Sequence, residues 1–314
     1  MKNIKLYYFD GMPNFGDMLN VEICRKLFNI NPVSTSPKCC EASFIGSLLD
    51  DFLYDRKSIL NLKFFKRKFL QPPVNVWGSG FICDKDQYIK KRIDKPEVFF
   101  RRINVHAVRG MLSLNRLKKI TGKKLEKAVV ADPGLLAEKL IPICKVEKKY
   151  KIGIIPHHLE IHGYHARSVN YACQSGLLPK DLVLDVNCYD KIKRNIDEAV
   201  FIDMEANVLD CLQRIAECEL IASASLHGLI VADSMNIPNL RILASDRLIG
   251  GDYKFCDYYS VYKTDRRRSF NLIDASDKDV MELPHFITDE YIEARDEIDV
   301  LKEKLMDSFP YRSK

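Results

Sequence analysis

The sequence predicts an α/β fold on parallel sheets, and two observations predict it. Short apolar runs alternate with amphipathic stretches along most of the chain. Strand and helix alternating in this way place helices on the faces of parallel sheets. Several apolar runs end in turns rich in Gly, Ser, Asn and Asp, which puts polar residues at the carboxyl ends of strands, the edge where such sheets bind ligands.

Taken in order, Lys5 to Phe9 reads as a buried strand and Asp17 to Phe28 as the helix after it. Asn75 to Trp77, Asn104 to Val108 and Ala128 to Val130 supply further strands, with a helix from Gly110 to Ile120 between the last two. A second series begins at Lys151 to Ile155 and continues with strands Leu182 to Val186, Leu220 to Ala222 and Asn239 to Leu243. Its helices are Glu205 to Cys218, where Val208, Leu212 and Ile215 recur at helical spacing, and Leu226 to Met235, which stops before Pro238. A final helix from about Asp289 to Met306 carries Tyr291, Ala294, Ile298, Leu301 and Leu305 on one stripe, the pattern of a helix packed on one face. The charged stretch Lys145 to Lys149 separates the two series, giving domains of 1–147 and 148–314. Which of them the last helix rests on is not written in its pattern.

The chain has 314 residues, 46% hydrophobic and 29% charged, the make-up of a soluble globular protein of about two domains. Lys+Arg 49 against Asp+Glu 43 leaves +6, too small an excess to require nucleic acid, though it suits an anionic substrate or a membrane surface. The ten cysteines form no Cys-x-x-Cys pair and several sit in apolar runs, so they read as reduced packing residues of a cytoplasmic protein. The start lacks a basic region followed by an apolar stretch, and no run reaches the roughly 18 apolar residues of a membrane span. The least regular region, Asp51 to Gln71, interleaves Arg56, Lys57, Lys63, Lys66, Arg67 and Lys68 with Leu60, Leu62, Phe64, Phe65 and Phe69. It fits first a solvated face with aromatic anchors, and as the alternative a basic amphipathic helix in peripheral contact with an anionic membrane.

Four turns have residues suited to chemistry. In Pro13-Asn14-Phe15-Gly16-Asp17, Gly16 permits a tight turn, Asp17 suits a helix cap, and the helix start offers free amides; an ordinary strand-to-helix turn has the same make-up. Trp77-Gly78-Ser79-Gly80 lets a ligand approach the backbone, yet lacks the third glycine of a dinucleotide fingerprint and the Gly-Lys-Ser/Thr of a phosphate loop. Arg109 ends a strand before Gly110, either as a bidentate ligand for carboxylate or phosphate or as a surface group paired with an acid. Ser223 to Asp233 carries the strongest signal, because His227 opens a helix directly after a small-residue turn, the position of a proton donor or anion ligand. His157 follows the strand Lys151 to Ile155 and reads as a pocket residue. His158, His162 and His165 have helical spacing, but Pro156 and Gly163 interrupt it and no nearby Cys supports zinc, so no metal site is expected. No Gly-x-Ser-x-Gly elbow suggests a serine nucleophile.

These turns, in this order, resemble the polysaccharide pyruvyl transferase family. The matching pieces are Asn14-Phe15-Gly16-Asp17, Gly78-Ser79-Gly80, Arg109-Gly110 with Ser113, Asp132-Pro133-Gly134, Ile154-Ile155-Pro156-His157, Ser225-Leu226-His227-Gly228 with Ala232, and Lys254-Phe255 with Asp257-Tyr258. The resemblance implies two Rossmann-like domains in a GT-B-like arrangement with the site in an inter-domain cleft. It implies transfer of a pyruvyl group from phosphoenolpyruvate to a sugar or lipid-linked oligosaccharide of a surface polysaccharide precursor, forming a ketal and releasing phosphate, with no cofactor. Within that reading His227 is the acid and Asp17 a sugar contact or base. Arg109, Ser225, Leu226, Gly228, Lys254, Gly78, Ser79 and Gly80 surround the donor, and Asn14, Gly16 and His157 face the acceptor.

One departure matters. Many members of that family carry Arg at the position of Ser225, so Arg241, Arg247 or Lys254 would have to compensate the donor's charge here. Two other readings stand beside this one: a nucleotide-sugar glycosyltransferase on the same frame, with Glu205 and Arg247 as its grip, and a non-catalytic sugar-binding or scaffold protein.

Overall fold

The computed structural model describes residues 1–10, 14–53, 62–84, 97–157, 187–244 and 251–312. The first half forms a parallel sheet from β1 (Lys2–Tyr7), β2 (Ile30–Ser34), β3 (Ala42–Ser43), β4 (Val74–Trp77), β5 (Ile103–Val108) and β6 (Val129–Val130). Around it lie α1 (Phe15–Phe28), the single turn α2 (Leu62–Phe65) and α3 (Met111–Thr121). The second half forms another parallel sheet from β7 (Tyr150–Ile155), β8 (Ala199–Phe201), β9 (Cys218–Ser223), β10 (Asn239–Leu243) and β11 (Ser269–Asn271). Its helices are α4 (Asn187–Asn195), α5 (Val208–Ala216), α6 (Leu226–Ser234), α7 (Tyr253–Tyr259), α8 (Asp277–Met281) and α9 (Leu283–Glu290), and α10 (Arg295–Ser308) ends the chain's regular structure. The α/β class and the pair of parallel sheets are as the sequence predicts. The predicted strand Leu182 to Val186 lies outside the described residues.

The sheets run in the orders β2-β1-β3-β4-β5-β6 and β8-β7-β9-β10-β11. Both follow the doubly wound pattern, in which the chain leaves the first strand to one side and then returns to build outward on the other. The reversal falls between β1 and β3 in one sheet and between β7 and β9 in the other. Loops diverge at that point and leave a crevice at the carboxyl edge.

The halves share a core. Ile4, Leu6 and Leu19 of the first belong to one continuous buried apolar cluster with Met204, Leu212, Leu229 and Ile230 of the second. A methyl group at Gly134, in the 3₁₀ segment Pro133–Leu140, would fall 2.9 Å from Ile230 of α6, so these two segments are in tight contact across the boundary.

The end of the chain differs from expectation in one way and answers one question that its pattern left open. The single helix predicted from about Asp289 to Met306 is divided into α9 and α10, because Arg266 reaches into the break and donates from Nε to the Ile292 carbonyl at 2.8 Å. Arg266 is held there by a bidentate pair with buried Asp233, at 3.1 and 2.9 Å. The helix then crosses to the first half: Trp77 Nε1 donates to the Leu305 carbonyl at 3.2 Å, Lys302 pairs with Glu138 at 2.5 Å, and Phe309 stacks on Phe28 with ring centres 3.6 Å apart.

Candidate functional site

Each reversal point carries one of the residues singled out from the sequence. In the first sheet, Asn14 caps α1 by accepting from the Gly16 amide at 3.1 Å, so the cap is Asn14 and not Asp17. Asp17 is left one turn inside, 7% exposed, and its Oδ1 accepts the Phe9 amide at 3.1 Å. The loop after β3 is fastened to the same helix by Asn20, which donates to the Ile45 carbonyl at 3.1 Å and accepts its amide at 2.9 Å. That brings Gly46, at φ +127°, against Asp17: a β-carbon there would lie 3.5 Å from Oδ1. Burial pushes the Asp17 carboxyl up to about 7, and the nearby charges of Asp10 and Asp51 add to the rise while the Phe9 amide opposes it.

In the second sheet the loops after β7 and β9 hold His157 and His227. Ala224 donates its amide to the Ile155 carbonyl at 2.8 Å, and Ser223 Oγ accepts the Ser225 amide at 3.0 Å, which fixes the turn before α6. Ser225 is the residue before the helix and makes no side-chain cap, Leu226 is buried, and Gly228 packs where a β-carbon would strike Ser223 Oγ. His227 Nε2 is enclosed and has no hydrogen-bond partner. Its proton affinity is pushed down to about 3, first by burial and then by the charges of Lys254 and Arg109. His157 is buried and its Nε2 lies 3.3 Å from the Lys254 ammonium, which makes that nitrogen the acceptor.

The two reversal points meet. The Phe15 amide donates to the Met204 carbonyl at 3.1 Å, and a methyl group at Gly16 would collide with His227 Nδ1. Gly16 therefore lets the imidazole of one half sit directly on the helix start of the other. The structure brings Asn14, Gly16, Asp17, His157, Ser225, Leu226, His227, Gly228 and Lys254 to these two facing edges.

Arg109 has a different place. It is 1% exposed, and its Nε donates to Asp257 at 3.0 Å, Nη1 to Ser47 Oγ at 2.5 Å and Nη2 to the Phe81 carbonyl. Each guanidinium nitrogen thus has a partner inside the protein, which is a joint between the halves and not the open anion ligand expected from the sequence. Asp257 completes the joint by accepting the Ser113 amide at 2.8 Å and hydroxyl at 2.6 Å. Gly110 is required there, because a β-carbon would strike the Asp257 carbonyl oxygen. The turn Gly78-Ser79-Gly80 belongs to the same packing. Pro133 fills the space at Gly78 (φ +96°), the Arg109 guanidinium fills the space at Gly80, and Ser79 Oγ donates to the Gly46 carbonyl at 3.0 Å. The room these glycines leave is occupied by the protein, and no ligand need approach it.

The sequence marked Asp132 within the matching piece Asp132-Pro133-Gly134 but gave it no role; it is fully buried, accepts the Gly134 amide at 2.8 Å through Oδ1, and leaves Oδ2 enclosed without a partner. Burial pushes its carboxyl up to about 6 against the pull of Arg109. Only its place before Pro133-Gly134 marked it. Of the insert, Asp51 to Leu53 and 62–71 are described: Phe65, Phe69 and Leu70 are exposed, while Phe64 is buried against Val74 and Phe99. Glu205, offered as a nucleotide grip, is described, whereas Arg247, His158, His162 and His165 lie outside the described residues.

Two doubly wound sheets with opposed carboxyl edges, one bearing a buried carboxyl and the other an imidazole and an ammonium, define an α/β protein with its candidate site between the halves. The model of the polysaccharide pyruvyl transferase family matches residues 14–246, and the chain belongs to that family. The uncharacterized protein L143 of Acanthamoeba polyphaga mimivirus is 27% identical over 280 residues, covering 84% of this chain and 76% of that one. Among solved structures, the UDP-GlcNAc 2-epimerase of Methanocaldococcus jannaschii, in complex with UDP-GlcNAc and UDP, is 11% identical with a TM-score of 0.41, over 96% of this chain and 99% of that one. MurG of Acinetobacter baumannii is 10% identical with a TM-score of 0.38, over 98% and 95%. Likenesses this distant say nothing about substrate.

Proposed function

We propose that this protein transfers a pyruvyl group from phosphoenolpyruvate to two hydroxyls of a sugar, free or lipid-linked, forming a cyclic ketal and releasing phosphate. The observation that carries this reading is the enclosed, unpartnered His227 Nε2, set across Gly16 from the helix that bears Asp17 in a chain of this family. Protonated His227 gives its proton to the methylene carbon of the donor, which makes the phosphate-bearing carbon electrophilic. One sugar hydroxyl adds there and its proton passes to Asp17. The second hydroxyl adds to the same carbon as the bond to phosphate breaks; its proton returns to neutral His227, and phosphate leaves with the proton held by Asp17. Both residues end as they began. Lys254 borders the donor, His157, expected from the sequence on the acceptor side, is assigned with it because its Nε2 lies 3.3 Å from the Lys254 ammonium, and the loop after β3 borders the acceptor.

Phe65, Phe69 and Leu70, exposed by 45%, 60% and 76%, flank Lys66 and Arg67 and form a surface suited to an anionic bilayer. It precedes the amino end of β4, where Lys68 donates to the Phe99 carbonyl at 2.7 Å and Arg102 to that of Gln71 at 3.1 Å. Bilayer contact there would turn the carboxyl edges away from the lipid, so a lipid-linked acceptor would need a sugar long enough to reach round.

The test is incubation with phosphoenolpyruvate and a panel of galactose-bearing acceptors, measuring phosphate and an acid-labile pyruvate ketal. Turnover is expected, with His227→Ala reducing it by about 10²–10⁴. Hydrolysis of a UDP- or CMP-sugar with no phosphate release from phosphoenolpyruvate would give the glycosyltransferase reading instead.

A further inference from the structure

Two cationic side chains of the second half flank one aromatic ring. Phe255 of α7 is buried, with the Arg241 guanidinium 3.8 Å from its ring centre and the Lys254 ammonium 5.3 Å from it. Lys254 in turn reaches His157 at 3.3 Å, and its charge depresses the protonation of His227. Arg241 is in register with Ser223, the last residue of β9, and so stands beside the turn that leads to His227.

Arg241 is unlike Arg109 and Arg266, and unlike Arg101, whose Nε is also enclosed without a partner but whose other two nitrogens are tied to the Lys38, Cys40 and Pro72 carbonyls. Arg109 has partners on all three nitrogens and Arg266 grips a fully buried carboxylate with two of its own. The Arg241 side chain is 10% exposed, yet its ion partner Asp252, at 2.6 Å, is 71% exposed, and its Nε is enclosed without a partner. An enclosed N–H donor with no acceptor is costly, and an exposed carboxylate is easily exchanged for another oxyanion because water stabilises it when released. His227 Nε2, four residues beyond Ser223, is enclosed and unpartnered as well.

We infer that Arg241 is an anion ligand of the candidate site, held on Asp252 in the free protein and transferred to a phosphate or carboxylate of the bound small molecule, with Lys254 as the second cation. The inference rests on the proposed function only for the identity of that molecule. Oxyanion recognition by a guanidinium flattened on an aromatic ring is bidentate and favours Arg over Lys.

The test is calorimetric titration of the full chain with phosphoenolpyruvate, inorganic phosphate and pyruvate in turn. Arg241→Lys is expected to weaken the anion that Arg241 holds about tenfold and Arg241→Ala more; phosphate or pyruvate responding alone tells which group that is. Asp252→Asn, at an exposed position that leaves the fold untouched, is expected to tighten the same anion two- to fivefold by removing the competitor. Unchanged affinities in Arg241→Lys and Asp252→Asn, or no anion binding by the wild type, overturn the inference. Arg241-dependent phosphate binding without pyruvyl transfer to any acceptor leaves it standing and removes the proposed reaction instead.

Discussion

The two reversal points have the same topology and opposite chemistry. Between β1 and β3 the chain gathers carboxyls: Asp17 is buried, Asp10 and Asp51 bear on it, and Tyr7 donates to Asp51 at 2.7 Å while Ser34 donates to Asp10 at 2.6 Å. Between β7 and β9 it gathers His157, His227, Lys254 and Arg241, with Asp252 at the surface as the carboxylate partner. The doubly wound order fixes where a site forms, and the residues that follow the strands decide what it does there. Opposite walls of this kind suit a reaction between an anion and a neutral polyol, in which one wall orients charge and the other accepts a proton.

The largest test of this contrast concerns what holds the walls together. Arg109→Ala would leave Asp257 buried without its cation, and removing one partner of such a pair costs about 3–5 kcal/mol. Urea unfolding of the variant should show that loss, and a low-temperature binding measurement on the folded fraction should show the anion retained. Loss of anion binding with unchanged stability would return Arg109 to the site as a ligand and make the contrast between joint and site false.

The acidic wall is tested by stability as a function of pH. The Asp17 carboxyl rises from 3.8 unfolded to about 7 folded, so the stability it contributes is full below 3.8 and disappears as pH climbs to about 7. Asp17→Asn keeps an acceptor for the Phe9 amide and removes the buried charge. It is expected to be more stable than wild type at pH 8 by on the order of 1–3 kcal/mol, to lose that advantage by pH 4, and to turn over slowly. Equal stability at pH 8 would mean that the carboxylate is already well solvated there and that this wall is not a base.

Much of the frame could be read from sequence because buried parallel strands are continuous apolar runs: β7 and β10 match their predicted runs within a residue. β3 spans two residues and β8 and β11 three, too short for any periodicity, whereas the two residues of β6 fall within the predicted run Ala128 to Val130. β2 contains Pro32, which an edge strand tolerates and a sequence reader takes for a break. The positions of the turns were legible, but several roles were not, since those depend on distant partners. Arg109 meets an aspartate 148 residues away, Gly78 makes room for Pro133, and Gly16 makes room for His227. Arg241 is a polar residue inside an apolar run, the signal that a strand residue faces something other than core, and only the register with Ser223 placed it beside the site.

The smallest effect is the one that joins the walls. His227 is neutral in the free protein around pH 6 and above, because burial and the charges of Lys254 and Arg109 push its protonation down to about 3. An acid that donates to the methylene carbon must hold one. A bound dianion offsets those positive charges and raises the proton affinity of the imidazole, so the donor itself arms the acid. Titration of phosphoenolpyruvate at pH 6 in buffers of differing ionisation enthalpy should therefore show uptake of up to about one proton, growing as pH falls. Asp17 also titrates near neutrality, and Asp17→Asn separates the two by leaving the His227 share. His227→Gln should abolish that share, and Lys254→Met should not reduce it, because the free imidazole still begins unprotonated at pH 6 and meets less repulsion once the dianion is bound. Uptake that persists in His227→Gln made on the Asp17→Asn background would assign the proton to the donor or to another group, and the cationic wall would be a binding surface with its acid elsewhere.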